Sequence, residues 1–206
     1  MATTAERPGE EGADDPIERF RSLLAEAEAI ERSVLPEPTA MMLGSVGDDG
    51  RPSLRVVLLK SVDERGFVFY TNYESRKGRE LLAHPEAALC FHWQPLERQV
   101  RIEGHAEPVA PEEADAYFAT RARLSQIGAW ASRQSRPLSS DAELDERVRE
   151  MEARFAGGTV PRPPHWSGFR VVPRRIEFWR NRAFRLHERL VYEREGESWR
   201  VTRLYP

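Results

Sequence analysis

Three apolar runs of strand length follow one another between residues 40 and 72, and two turn signals separate them. The first, residues 40–46, stops at Gly47-Asp48-Asp49-Gly50. The second, residues 54–62, is apolar and β-branched and turns back at Asp63-Glu64-Arg65-Gly66. Residues 67–72 form the third. Gly supplies positive φ and Asp supplies side-chain acceptors, the two things a tight turn needs. The spacing therefore predicts two adjacent hairpins, a meander, and an antiparallel sheet.

The rest of the chain fits that frame. Further strand-like runs occupy residues 86–93, 98–108, 169–180, 189–194 and 199–204. Residues 16–33 carry a helical stripe at Ile17, Phe20, Leu23, Leu24 and Ala27, with Pro36 and Pro38 as the expected stop. Residues 75–84 form a short helix ahead of Pro85, and residues 111–123 a helix opened by Pro and acids, as the helix dipole favours. A longer helix over 139–155 stops at Gly157-Gly158. Roughly seven or eight strands with inserted helices predict an α+β fold: a mainly antiparallel β-barrel with peripheral helices.

Composition narrows the function classes. The 206 residues suit one domain with its own core, and a net charge of −3 provides no broad basic field for nucleic acid. No apolar run approaches the ~20 residues of a membrane span. Residues 1–15, small and acidic without periodicity, predict a disordered tail and no secretory leader, leaving 16–206 as a single domain. The single cysteine, Cys90, excludes an intrachain disulfide, fits a reducing cytoplasm, and sits in an apolar run as an expected core residue. Of the 31 basic residues only Lys60 and Lys77 are lysines.

Several clusters could carry chemistry. Arg55-Val56-Val57-Leu58-Leu59-Lys60 reads either as a buried strand with charged ends or as a strand beside an anionic ligand. Positions five apart point to opposite faces, so both cations reach one ligand only across a bulge, an edge or a second subunit. Tyr70-Thr71-Asn72 leads into Ser75-Arg76-Lys77, where Ser75 is an N-cap and two cations oppose the helix dipole unless an anion sits there. Gln99 and the pair Gln134-Ser135 offer donors and acceptors to a planar heterocycle, or are plain surface polarity. Tyr117, Arg121 and Ser125, four apart, would share one helix face, as a second phosphate grip or a solvated face. Trp179 and Arg185-Leu186-His187-Glu188-Arg189 would put Arg185, His187 and Arg189 on one strand face. There is no dinucleotide or phosphate-loop motif, no hydrolase elbow and no metal-ligand spacing among the other histidines, so no metal is expected.

In this order the strings RVVLLK (55–60), FYTN (69–72), SRK (75–77), ERQV (97–100), SQIGAW (125–130), RQS (133–135), IEFW (176–179), RLHER (185–189) and WRVTRLYP (199–206) closely resemble the pyridoxamine/pyridoxine 5′-phosphate oxidase family. The resemblance covers residues 38–206 and implies an FMN-binding split β-barrel, with the flavin at a homodimer interface. It implies FMN contacts for Arg55, Val56, Val57, Leu58, Leu59, Lys60, Tyr70, Thr71, Arg76, Lys77, Gln99, Gln134, Ser135, Trp179 and Arg189. It implies substrate contacts for Lys60, Tyr117, Arg121, Ser125, Arg185, Leu186 and His187, with Arg185 and His187 beside the reacting carbon. The implied reaction passes a hydride from the carbon bearing the amine or alcohol to the flavin, which oxygen reoxidises with release of hydrogen peroxide; pyridoxal 5′-phosphate is the product. Some relatives carry an N-terminal Arg/Tyr segment over the substrate, whereas here the first tyrosine is Tyr70. Two rivals share the fold: a flavin oxidase of a phenazine precursor or other aromatic, and a non-catalytic FMN or pyridoxal-phosphate binding protein.

Overall fold

The computed structural model describes residues 15–206. The expected tail over 1–15 therefore lies outside the described residues except for Asp15, whose carboxylate accepts from the Ile17 N–H and caps the first helix, α1 (Pro16–Glu28). This helix stops before Pro36 and Pro38. Glu28 and Ala29, directly after Ala27, are exposed, and the Ile30 N–H turns back to the Ala27 carbonyl.

The strands are β1 (Ala40–Val46), β2 (Pro52–Leu58), β3 (Ser61–Asp63), β4 (Gly66–Asn72), β5 (Glu86–Trp93), β6 (Arg98–Pro108), β7 (Trp166–Arg180), β8 (Glu188–Glu195) and β9 (Ser198–Leu204). All their pairings are antiparallel. The order is β2-β1-β5-β6-β7-β4-β3, with β8 added on β7 and β9 on β8. The expected strand over 54–62 is thus two strands at opposite ends of that order, and no meander links the two hairpins. Only Leu59 and Lys60 separate them, so the ends must meet and the sheet curls into a barrel. The Leu59 N–H donates to the Thr39 carbonyl and the Lys60 N–H to Val68, tying the seam to both sides. Each hairpin uses its predicted turn: Gly50 at φ 73° closes one, and Asp63 accepts from the Arg65 and Gly66 N–H groups in the other.

Phe20 of α1 plugs the barrel, fully buried, with ring centroids 4.9 Å from both Phe67 and Phe91. On β5 the core takes Ala87, Leu89, Phe91 and Trp93, so Cys90 points the other way and is half-buried, not a core residue as expected. β2 also departs from expectation. It is no buried strand: within one chain Leu54 and Val56 are 68% and 63% exposed.

Helix α2 (Arg76–Ala83) follows β4, while α3 (Pro111–Thr120), α4 (Arg123–Ala131) and α5 (Asp141–Arg154) lie between β6 and β7. The expected single helix over 111–123 breaks at Arg121 and Ala122, both extended at ψ 145° and 140°. Tyr117 therefore sits on α3, Arg121 at its end and Ser125 in the first turn of α4, rather than on one face of one helix.

Candidate active site

A cavity of about 710 Å³ opens between β2, β4, α2, α3 and α4, within the range of small-molecule sites. Its floor is Val56, Val57 and Leu58 from β2. One wall is a stack of three rings: Tyr70 lies 4.0 Å from Tyr117 and 5.5 Å from Trp166, near-parallel to both. Burial, then the charge of Glu113, pushes the Tyr70 hydroxyl up to about 12, so it stays a hydrogen-bond donor.

Cations line the same cavity. Lys60 comes from the barrel seam, Lys77 from the first turn of α2 and Arg121 from the break between α3 and α4. Both lysines of the sequence therefore meet in one cavity. Lys77 Nζ donates to Thr71 Oγ1 at 3.1 Å and Ser75 Oγ at 3.4 Å, and burial together with the nearby Arg55 charge lowers its pKa. Ser75 also caps α2 by accepting from the Gly78 N–H at 3.2 Å. The Arg121 guanidinium lies 4.7 Å over the Trp166 ring, its Nη1 is buried without a hydrogen-bond partner, and burial lowers its pKa. A buried cationic donor left unpaired is costly unless an anion completes it, so this half of the cavity fits a phosphate. Ser125 and Gln134 complete the lining from the expected set.

Other expected residues lie outside this cavity. Arg55 turns into the protein, donating to the Leu43 carbonyl at 3.1 Å, to Ser45 and Ser53, and to Glu80 at 3.1 Å. Leu59 is core. Arg76 binds Glu80 through Nε at 2.8 Å. Ser135, next to Gln134, is exposed in a left-handed conformation at φ 68°.

Gln99, Trp179 and Arg189 form a second group. They are direct cross-strand partners on β6, β7 and β8 and so share one face of the sheet. Arg189 grips Glu177 through Nε at 2.8 Å and Nη2 at 3.1 Å; Arg101 and Arg175 bind the same carboxylate. Burial works against this charge, but the hydrogen bonds from Arg189, Arg101 and Arg175 outweigh it and hold Glu177 at about 2. Arg185 and His187 are not on a strand, so the expected shared face is absent. A one-turn 3-10 helix precedes β8, with Phe184 and Arg185 both left-handed at φ 58° and 62°, and Leu186 exposed beside them. His187 packs 4.7 Å from the Trp179 ring, and its Nδ1 accepts from the Arg182 N–H at 3.3 Å.

Sequence reasoning missed Trp166, Ala129 and Ser132 in the lining and the two buried acids, Glu80 and Glu177. A lone Glu in a helix or strand carries no signal of its own; only the register shows which arginines surround it.

Comparison with known proteins identifies the family. Residues 27–155 match the family described as pyridoxamine 5′-phosphate oxidase, and residues 166–206 match the pyridoxine 5′-phosphate oxidase C-terminal dimerisation region. The pyridoxine/pyridoxamine 5′-phosphate oxidase of Myxococcus xanthus strain DK1622 is 62% identical over 192 residues, covering 93% of this chain and 92% of its own. That of Rubrobacter xylanophilus is 59% identical, covering 96% and 90%. Among solved structures, PhzG from Burkholderia lata 383, in complex with tetrahydrophenazine-1-carboxylic acid, superposes with a TM-score of 0.87 at 34% identity over 98% of each chain. An FMN-binding protein from Nostoc punctiforme shares the fold at a TM-score of 0.71 and 16% identity. Two family models cover most of the chain and the curated relatives match nearly end to end, so the chain belongs to the pyridoxamine 5′-phosphate oxidase family.

Proposed function

We propose that the chain is an FMN-dependent oxidase that converts pyridoxamine 5′-phosphate and pyridoxine 5′-phosphate to pyridoxal 5′-phosphate. The observation that carries this reading is the convergence of Lys60, Lys77 and the unpaired Arg121 on one aromatic-walled cavity. FMN, when bound, takes the two electrons that leave the substrate carbon and delivers them to molecular oxygen. The residues bind and orient. Lys77, Thr71 and Arg76 serve the flavin phosphate; Lys60, Tyr117, Arg121 and Ser125 hold the substrate phosphate. Arg185 and His187 position the pyridine ring. With Nδ1 engaged by the Arg182 N–H, Nε2 is the His187 ring nitrogen left to face a ligand.

Two chains are needed to build the site. Tyr70 pairs with Gly168, and Trp179 stands eleven residues further along β7. At about 3.3 Å per residue that is roughly 35 Å of strand, more than one mononucleotide spans. The cavity group of one chain and the Gln99, Trp179, Arg189, Arg185 and His187 group of another therefore face the same flavin. The match to a dimerisation region and the exposed Leu54 and Val56 support this arrangement.

The test is anaerobic mixing of the FMN-loaded protein with each vitamer. Pyridoxamine 5′-phosphate and pyridoxine 5′-phosphate should bleach the flavin absorbance, and their dephosphorylated forms should do so far more slowly. Equal bleaching by both forms would refute the phosphate grip and turn attention to aromatic substrates of the kind bound by PhzG.

A further inference from the structure

Glu80 is buried beside the cavity, and its side-chain hydrogen-bond partners, Ser45, Ser53, Arg55 and Arg76, are not part of the cavity lining. All its contacts are donors. Oε2 accepts from the Ser45 and Ser53 hydroxyls at 2.6 Å each and from Arg55 Nη2 at 3.1 Å; Oε1 accepts from Arg76 Nε at 2.8 Å. The two serines, having given their protons to Glu80, turn their lone pairs to Arg55. Arg55 is thereby fixed from several sides. Arg76 is anchored by Nε alone, which leaves its terminal fork exposed at the mouth of α2.

We propose that Glu80 is a positioning residue that sets the geometry and net charge of the phosphate site at the start of α2: it holds Arg55 in place behind the site and aims Arg76 beside Lys77. The inference rests on the reading of this region as the flavin phosphate site. Three cations and one carboxylate leave two net positive charges around the start of α2. A phosphate monoester carries about −1.5 to −2 at neutral pH, so the balance closes when one binds. Without Glu80 the guanidinium groups would repel each other and Lys77, whose own side-chain partners are only hydroxyls. Arg76, pulled by Nε, presents a bidentate fork rather than a freely rotating one, which lowers the ordering cost of binding.

The experiment compares FMN with riboflavin, which has the same ring system and no phosphate. Flavin fluorescence titrations give the dissociation constant of each for the wild-type protein and for Glu80→Gln. Wild type should prefer FMN, and Glu80→Gln should cut the FMN-to-riboflavin preference by about tenfold or more, as expected when charge-assisted bonds lose their alignment. A variant that weakens both flavins equally, or only melts earlier, would show a purely structural role and overturn the inference. A preference that rises would show that Glu80 merely dilutes positive charge, and would overturn it too. If Glu80→Gln does not fold, Ser53→Ala keeps the charge and removes one of its bonds; its preference should fall by less, and an unchanged preference counts against the proposal. No preference in the wild type would instead refute the phosphate reading itself.

Discussion

Glu177→Gln keeps the shape of a buried side chain and removes the charge that three arginines share. Glu177 is 1% exposed and accepts from Arg101, Arg175 and Arg189. Its pKa falls from the ordinary 4.5 to about 2. At about 1.4 kcal/mol per unit, that difference makes a folded-state contribution of about 3 kcal/mol, within the range for breaking a buried pair. The sign follows from linkage. A depressed carboxylate stabilises above its unfolded pKa, and that stability is lost as pH falls through the folded value, here between about pH 5 and pH 2. Urea unfolding followed by tryptophan fluorescence, at fixed protein concentration because a dimer is involved, measures it. Glu80, also held at about 2, titrates in the same window in both proteins and cancels in the difference. The variant should be about 3 kcal/mol less stable at pH 7 and approach the wild type as the pH nears 2. Curves that stay parallel through acid, or a loss below about 0.5 kcal/mol at pH 7, would refute the argument that the shared charge is net stabilising.

Two further outcomes follow from the geometry. A Cβ at Gly78 would stand 2.5 Å from the Asn72 and Tyr73 carbonyl oxygens, so Gly78→Ala must push α2 off β4; its melting temperature should fall by several degrees and FMN binding should weaken with it, and a neutral result would contradict the close approach. Under the proposed two-chain site, Arg121→Ala and Arg185→Ala should each abolish most turnover alone, yet regain part of it when refolded together as mixed dimers, which carry one intact site each; no regain would place both groups in a single chain.

The sequence reveals most of this fold because its turns are chemically explicit. Gly50, Asp63 and Gly66 mark both early hairpins, and strand ends at Val46, Trp93, Arg98 and Pro108 fall where alternation or Pro predicts. Hidden from it is every event that depends on long-range closure. Residues 54–62 read as one continuous β-run, yet barrel closure splits them at Leu59-Lys60 because two edges of the sheet must meet there. The break at Arg121-Ala122 contains neither Gly nor Pro, so it carries no local signal, although it is what aims Arg121 at the cavity. The same holds for the left-handed pair Phe184-Arg185, which contains no Gly or Asn to announce it. Candidate ligand residues were legible as types and spacings. Their division into two groups on distant parts of β7 was not, because only the register reveals it.

The most direct test of the account is product formation by the purified, FMN-loaded protein. With pyridoxamine 5′-phosphate or pyridoxine 5′-phosphate in air, pyridoxal 5′-phosphate should appear in step with oxygen consumption. Tightly bound flavin with no pyridoxal 5′-phosphate from either substrate would contradict the assignment and leave a binding protein in its place.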